Sequence, residues 1–195
     1  MGMDNPNQLD VSALEQAQKE LKIAQDKLRA LKRSAPKLNI PDYTLMTPSG
    51  QPVSFYSLFG DRDELMVIHN MGKGCRYCTL WADGFNGFVQ HFENRAGFVM
   101  VTPDRPEVVK EFSESRGWKF KIYSSHGTSF FKDMGFASPE GKPWPGVSTF
   151  LKDPNGSISR IAADYFGPGD DYCAIWHLFD LLPRGINDWE PMYKY

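Results

Sequence analysis

Two cysteines three residues apart carry the most chemistry in this chain. Cys75 and Cys78 bracket Arg76 and Tyr77 in the run Gly74-Cys75-Arg76-Tyr77-Cys78, just after the apolar stretch Leu65-Met66-Val67-Ile68. A Cys-x-x-Cys placed where a strand gives way to a helix reads as a redox pair more readily than as a structural bridge. With the helix starting near Cys75, its sulfur lies by the unpaired N–H groups of the first turn and the positive end of the dipole, which favour a thiolate. Lys73 and Arg76 add two positive charges alongside in sequence, so a thiol pKa below the roughly 8.5 of free cysteine is expected. Cys78, one helical turn on, is expected to be more buried and to attack a mixed disulfide formed at Cys75.

Three other groups of residues bear on this chemistry. His69 closes the strand before the pair and could serve as a base or ligand, or sit in the core as a satisfied structural histidine. Asp83, beyond the pair, could relay a proton to Cys78 if burial raised its pKa, or could be a solvated helix carboxylate. A closed zinc site at the cysteines needs two more ligands from His69, His91, His126, His177 or a carboxylate, and no second Cys-x-x-Cys or close His pair offers them. No metal and no bound cofactor are therefore expected. Cys173, in an apolar helical stretch, reads as an inert buried thiol.

The elements that must hold the pair follow from periodicity. Leu14, Ala17, Leu21, Ala24, Leu28 and Leu31 alternate in steps of three and four, which predicts a helix over about 11–33 with a narrow coiled-coil-like seam. Ser12 with Glu15 marks its start, and Pro36 its end. The seam suits either packing on its own domain or a homodimer through this N-terminal helix. Residues 1–36 are thus a helical extension and 37–195 one domain. Within the domain a hairpin spans Tyr43–Met46 and Val53–Phe55, and buried strands are expected at 65–70 and 97–102. Between these two strands lies a segment with Trp81, Phe85, Phe88 and Phe92 on one face, kinked by Gly84 and Gly87. A helix over about 106–116, a strand at 120–123, a short helix at 129–134, a hairpin of 147–152 with 157–162, and a final helix at 172–182 complete the order. Strands separated by helices must pair in parallel, and the last hairpin adds antiparallel strands, giving an α/β mixed central sheet with helices on both faces.

Composition excludes other classes. At 195 residues, 41% hydrophobic and 14% aromatic, the chain can build a core without disulfides. A net charge of −2 leaves no basic footprint for nucleic acid, and no apolar run reaches the roughly 18 residues of a membrane span. MGMDNPNQLD lacks the apolar core of a secretory signal, so the expected location is cytoplasmic, where glutathione and thioredoxin systems keep most thiols reduced.

This order of elements with GCRYC resembles the thioredoxin-like superfamily. DYTLMTPSGQPVSF, VTPDRPEVVKEFSESRGWKF and STFLKDPNG are similar to the peroxiredoxin and alkyl-hydroperoxide-reductase branch. The run Trp81-Ala82-Asp83-Gly84-Phe85-Asn86-Gly87 resembles the WADGFNG of an uncharacterised bacterial thioredoxin-like family, formally a domain of unknown function, over about residue 10 to the end. The resemblance implies a thioredoxin-like fold, with Cys75 as nucleophile and Cys78 as resolving residue. The chain departs from the peroxiredoxin pattern at Gly72, where that branch carries Thr or Ser three residues before its reactive Cys, and near Val147-Ser148, where it carries an Arg. It departs from thioredoxins in placing Pro145 two or three residues ahead of their cis-proline. The expected function is a thiol:disulfide oxidoreductase acting on protein or small-molecule thiols and disulfides. The alternatives are a peroxiredoxin-like hydroperoxide reductase and a non-catalytic binding or scaffold protein.

Overall fold

A computed structural model describes residues 11–195, which divide after Pro36 into two units, 11–36 and Lys37–Tyr195. In the first, a single helix α1 (Val11–Ser34) closes with Lys32 and Arg33 in its last turn, where their charges oppose the negative end of the helix dipole. None of its residues is buried, and Ser12 lies within the helix rather than ahead of it.

The second unit is built on eight strands. β1 (Leu38–Ile40), β2 (Thr44–Met46) and β3 (Pro52–Ser54) precede a short 3-10 helix (Phe55–Phe59), and β4 (Glu64–His69) leads into α2 (Arg76–Asn86) and α3 (Val89–Arg95). Then come β5 (Gly97–Thr102), α4 (Pro106–Arg116), β6 (Lys121–Ser124), α5 (Phe130–Asp133), β7 (Gly146–Lys152), β8 (Ile158–Tyr165) and α6 (Ala174–Asp180). They form one sheet in the order β1-β8-β7-β4-β5-β6-β2-β3. β4, β5 and β6 are parallel neighbours, joined by helical crossovers, while β7 and β8 continue the other side antiparallel. β1, a strand the sequence pattern does not announce, pairs with β8 at the edge.

β4 is central because both of its faces are apolar. Leu65 and Val67 enter a core with Phe55, Phe59, Phe130, Phe136 and Phe150, whereas Ile68 enters another with Trp81, Phe85, Phe98, Met100 and Trp176. The 3-10 helix and α5 cover the first face, and α2, α4 and α6 contribute to the second. Each fully buried Phe or Trp contributes roughly 1.5–3 kcal/mol by leaving water, so these clusters fix the sheet between its layers.

The aromatic segment after the cysteines is two helices, not one kinked one. α2 ends at Gly87, and Phe88 sits at the break with 54% of its surface exposed, so it leaves the core face where helical spacing put it. Gly87 and Gly84 weaken the helix there, and the turn lets Phe92 stack on Phe98 of β5 at 4.5 Å. α4 follows its sequence signals closely, with Pro106 in the first turn and Gly117 closing it in the left-handed region at φ +65°.

Candidate functional site

Both cysteines sit where the loop after β4 becomes α2, at the carboxyl end of a central strand. Cys75 is the N-cap residue, extended at φ −101° and ψ 101°, and its Sγ accepts the backbone N–H of Cys78 at 3.0 Å. It thereby takes the place that a Ser or Asp oxygen fills at ordinary helix starts. The loop is held by two residues that sequence reasoning missed. Asn70, buried at the end of β4, accepts the Gly72 N–H at 2.8 Å and donates to the Cys78 carbonyl at 3.5 Å. Asp104, on the loop after β5, accepts the Lys73 N–H at 2.6 Å. Gly72 is required between them. Its φ is +103°, and a Cβ there would stand 2.7 Å from Asp104 Oδ1. An Asn two residues before a Gly at a strand end is a turn signal, and it could have flagged Asn70.

Electrostatics separate the two sulfurs. Cys75 is held down from the ordinary thiol range to about 7, first by the Cys78 side chain, which hydrogen-bonds its sulfur, and then by the N–H groups of Cys78 and Tyr77; partial burial opposes them. Cys78 is pushed well above the usual thiol range by its hydrogen bond to Cys75, by burial and by the charge on Cys75. The cause of the shift at Cys75 differs from the sequence expectation. Helix-start N–H groups do contribute, but Arg76, paired with Glu190 at 2.5 Å, is not among the groups that lower the thiol. The third cysteine, Cys173, is a buried free thiol in the apolar cluster around Trp81 and Trp176, where burial raises its pKa.

The other expected site residues are not brought to the sulfurs. Because strand side chains alternate, His69 shares the face of Leu65 and Val67, opposite Ile68 and the α2 cluster. There it is fully buried, its Nε2 lies 2.9 Å from Ser148 Oγ, and it stacks on Phe136 at 3.9 Å. Gly146, its partner on β7, makes room, since a Cβ there would collide with the Phe136 ring and the Asp164 carbonyl. Burial, then the charge of Arg160, depresses the imidazole to about 3, and its partners are Ser148 and core aromatic rings, as the structural alternative for this histidine expects. Asp83 is engaged with partners of its own. Five residues beyond Cys78, it lies about 140° around the helix. Its carboxylate takes Arg116 through Nε at 3.2 Å and through Nη2, and the Trp118 indole N–H at 2.8 Å. These contacts tie α2 to the end of α4.

Two residues far along the chain complete the surroundings. Glu190 and Tyr193, in the aromatic tail that follows the last helix, contact Arg76 and the Lys73 carbonyl respectively. On the same end of the sheet, Trp144, Pro145, Tyr165 and Phe166 wall an open hollow of about 360 Å³, and Phe166 stacks on Trp81 of α2 at 5.5 Å. Another cavity, of about 420 Å³, is lined by Glu64, Leu65 and Arg95 at the far end of β4 and so lies away from the chemistry. Among the described residues no three His, Cys, Asp or Glu side chains converge on a metal-sized space. No described helix is long and apolar enough to cross a membrane.

A central mixed sheet with the cysteine pair at the β4–α2 junction defines a protein of thioredoxin-like fold, and solved structures agree. Peroxidoxin BcpB of Mycobacterium tuberculosis superposes with a TM-score of 0.54 at 20% identity, covering 66% of this chain and 84% of that one. A peroxiredoxin-like protein of Aquifex aeolicus gives 0.50 at 17% identity, covering 67% and 78%. In sequence, the chloroplastic peroxiredoxin Q of Sedum lineare is 26% identical over 129 residues, covering 66% of this chain and 68% of the relative. Residues 8–195 match the family described as bacterial protein of unknown function (DUF899), and the chain belongs to that family.

Proposed function

We propose that this protein is a cytoplasmic thiol:disulfide oxidoreductase that cycles Cys75 and Cys78 between dithiol and disulfide. The observation that carries the proposal is the asymmetry of the pair. Cys75 is partly exposed, titrates at about 7 and receives the Cys78 N–H, whereas Cys78 is buried and held protonated. A nucleophile with a pKa near ambient pH is the best attacking thiol, because a lower one gains thiolate but loses nucleophilicity. The Cys75 thiolate attacks a substrate disulfide, forming one S–S bond and releasing one thiolate. Cys78 then gives up its proton and attacks Cys75, releasing the second thiolate and leaving the Cys75–Cys78 disulfide. A reducing dithiol returns the pair to its starting state.

Hydroperoxide reduction is the second reading, favoured by the likeness to peroxiredoxin Q. In it, Cys75 attacks the peroxide, an alcohol or water leaves, and the sulfenic acid condenses with Cys78 with loss of water. Gly72 offers no hydroxyl to orient the peroxide, and the Ser148 hydroxyl is engaged with His69 on the other face of the sheet, which favours disulfide exchange. Equilibration in defined thiol buffers, followed by alkylation and mass analysis, tests the proposal. A reversible Cys75–Cys78 disulfide with a potential between roughly −270 and −120 mV is expected. Failure to form that disulfide would remove the two-cysteine mechanism, and oxidation by peroxide far faster than by disulfides would favour the second reading.

A further inference from the structure

The segment around residues 188–195 runs across the start of α2 and is fastened at three points. The Glu190 carboxylate accepts Arg76 Nη2 at 2.5 Å and lies 3.5 Å from the Tyr77 hydroxyl. The Tyr193 hydroxyl donates to the Lys73 carbonyl at 2.9 Å. The Tyr193 carbonyl accepts Arg116 Nη1 at 2.7 Å, and the Tyr193 ring meets Phe112 of α4 edge-on at 6.2 Å. Lys73, Arg76 and Tyr77 flank Cys75 on both sides in sequence, so these contacts bridge the loop that presents the sulfur. Burial, followed by the charges of Cys75 and Cys78, raises the Tyr193 phenol, which agrees with its place beside the pair.

A strap in this position bears on what can reach Cys75. Thiolate attack on a disulfide runs along the S–S axis, so the leaving half of the substrate must find room directly behind the bond under attack. A small disulfide carries little bulk on either side of that axis. A folded protein brings its own backbone with the bond, and that backbone must meet residues 190–193 before the sulfurs align.

We propose that Glu190 and Tyr193 are specificity-determining residues that confine Cys75 to small-molecule disulfides by holding the strap across the approach to it. This rests on the thiol–disulfide function proposed above. The step it governs is the first exchange, in which the substrate S–S bond breaks, a Cys75–S–S–R bond forms and RS⁻ leaves. Cys78 then loses its proton and displaces the second RS⁻, so one disulfide is consumed for two thiols and one protein disulfide.

The test is single-turnover oxidation of the reduced full chain by oxidised glutathione and by insulin, compared between the wild type and an E190Q/Y193F variant. Losing one exposed ion pair and one hydrogen bond should raise the insulin rate by about tenfold. The glutathione disulfide rate should move by less than about twofold, since the sulfurs keep their backbone donors. A matching measurement needs no variant. The Arg76 and Glu190 side chains are 44% and 53% exposed, so added salt should speed the wild-type insulin reaction selectively. Rates that rise together for both oxidants, or an insulin rate that neither change moves, would overturn the strap while leaving the redox function standing. A wild type that forms no Cys75–Cys78 disulfide with either oxidant would overturn both.

Discussion

Replacing Cys78 with Ala removes the side-chain donor to Cys75 and leaves the backbone N–H that Sγ accepts at 3.0 Å. A hydrogen bond to a charged group is worth about 1.5–3 kcal/mol, and one pKa unit is about 1.4 kcal/mol, so the Cys75 midpoint should climb by roughly 1–2 units. From a starting point of about 7, it should arrive between roughly 8 and 9. At pH 7 a shift of roughly 1.5 units cuts the thiolate fraction from about one half to about 3%. The more basic thiolate is at the same time intrinsically about five times more nucleophilic, given a Brønsted coefficient near 0.45. The two effects leave only about a threefold loss of rate at pH 7, so a single-pH assay would nearly miss the change. The informative measurement is the pH profile of Cys75 exchange with a small aromatic disulfide, with mass analysis locating the adduct. Cys78→Ser, which restores a hydroxyl donor, should give an intermediate midpoint. An unchanged midpoint in Cys78→Ala would show that the side chain of Cys78 is not what sets the reactivity of Cys75.

Two further changes probe the residues that moved away from the chemistry. His69 has a folded pKa of about 3 against roughly 6.5 unfolded, so between these values the unfolded chain binds the proton and the folded one does not. Stability is therefore complete above about pH 6.5 and falls on acidification by up to about 1.4 kcal/mol per pH unit. His69→Gln, which can keep the Ser148 contact, should flatten the urea midpoint between about pH 5 and 6.5, where carboxylates stay ionised; a slope equal to the wild type would place the acid sensitivity elsewhere. Asp83→Ala strips the partners from Arg116 and Trp118, and with both side chains of the ion pair partly exposed the cost should be about 1–3 kcal/mol by chemical denaturation. Oxidation by a small disulfide should proceed at the wild-type rate in that variant, and a slowed second step at Cys78 would instead restore Asp83 to proton transfer.

Much of the fold was legible because local patterns and tertiary demands coincide. The unalternating run 65–68 has apolar side chains for two faces and can be satisfied only inside a covered sheet. Pro106 and Gly117 mark the ends of α4 because each fixes a backbone conformation that needs no distant partner. Asp153-Pro154-Asn155-Gly156 closes β7 and β8 for the same reason, with Gly156 at φ +88°. The spacing of Cys75 and Cys78 determined that one sulfur would cap a helix and the other lie a turn behind it, since three residues are nearly one helical turn.

What the sequence left open depended on partners distant along the chain. Nothing near His69 tells which face it takes; that follows from the register of β4 against β7 and from the bare Gly146 opposite it. The fate of Arg76, whether it lowers the Cys75 pKa or pairs elsewhere, was decided by Glu190, 114 residues away. Asp83 became an anchor because Arg116, the last residue of α4, and Trp118 just beyond it reach its carboxylate. Residue type and short spacing determine which atoms can do chemistry and how the backbone presents them. Which charges reach a sulfur, and what stands in front of it, is set only when the folded chain brings side chains from separate elements within a few ångströms, where electrostatic and hydrogen-bond energies become large.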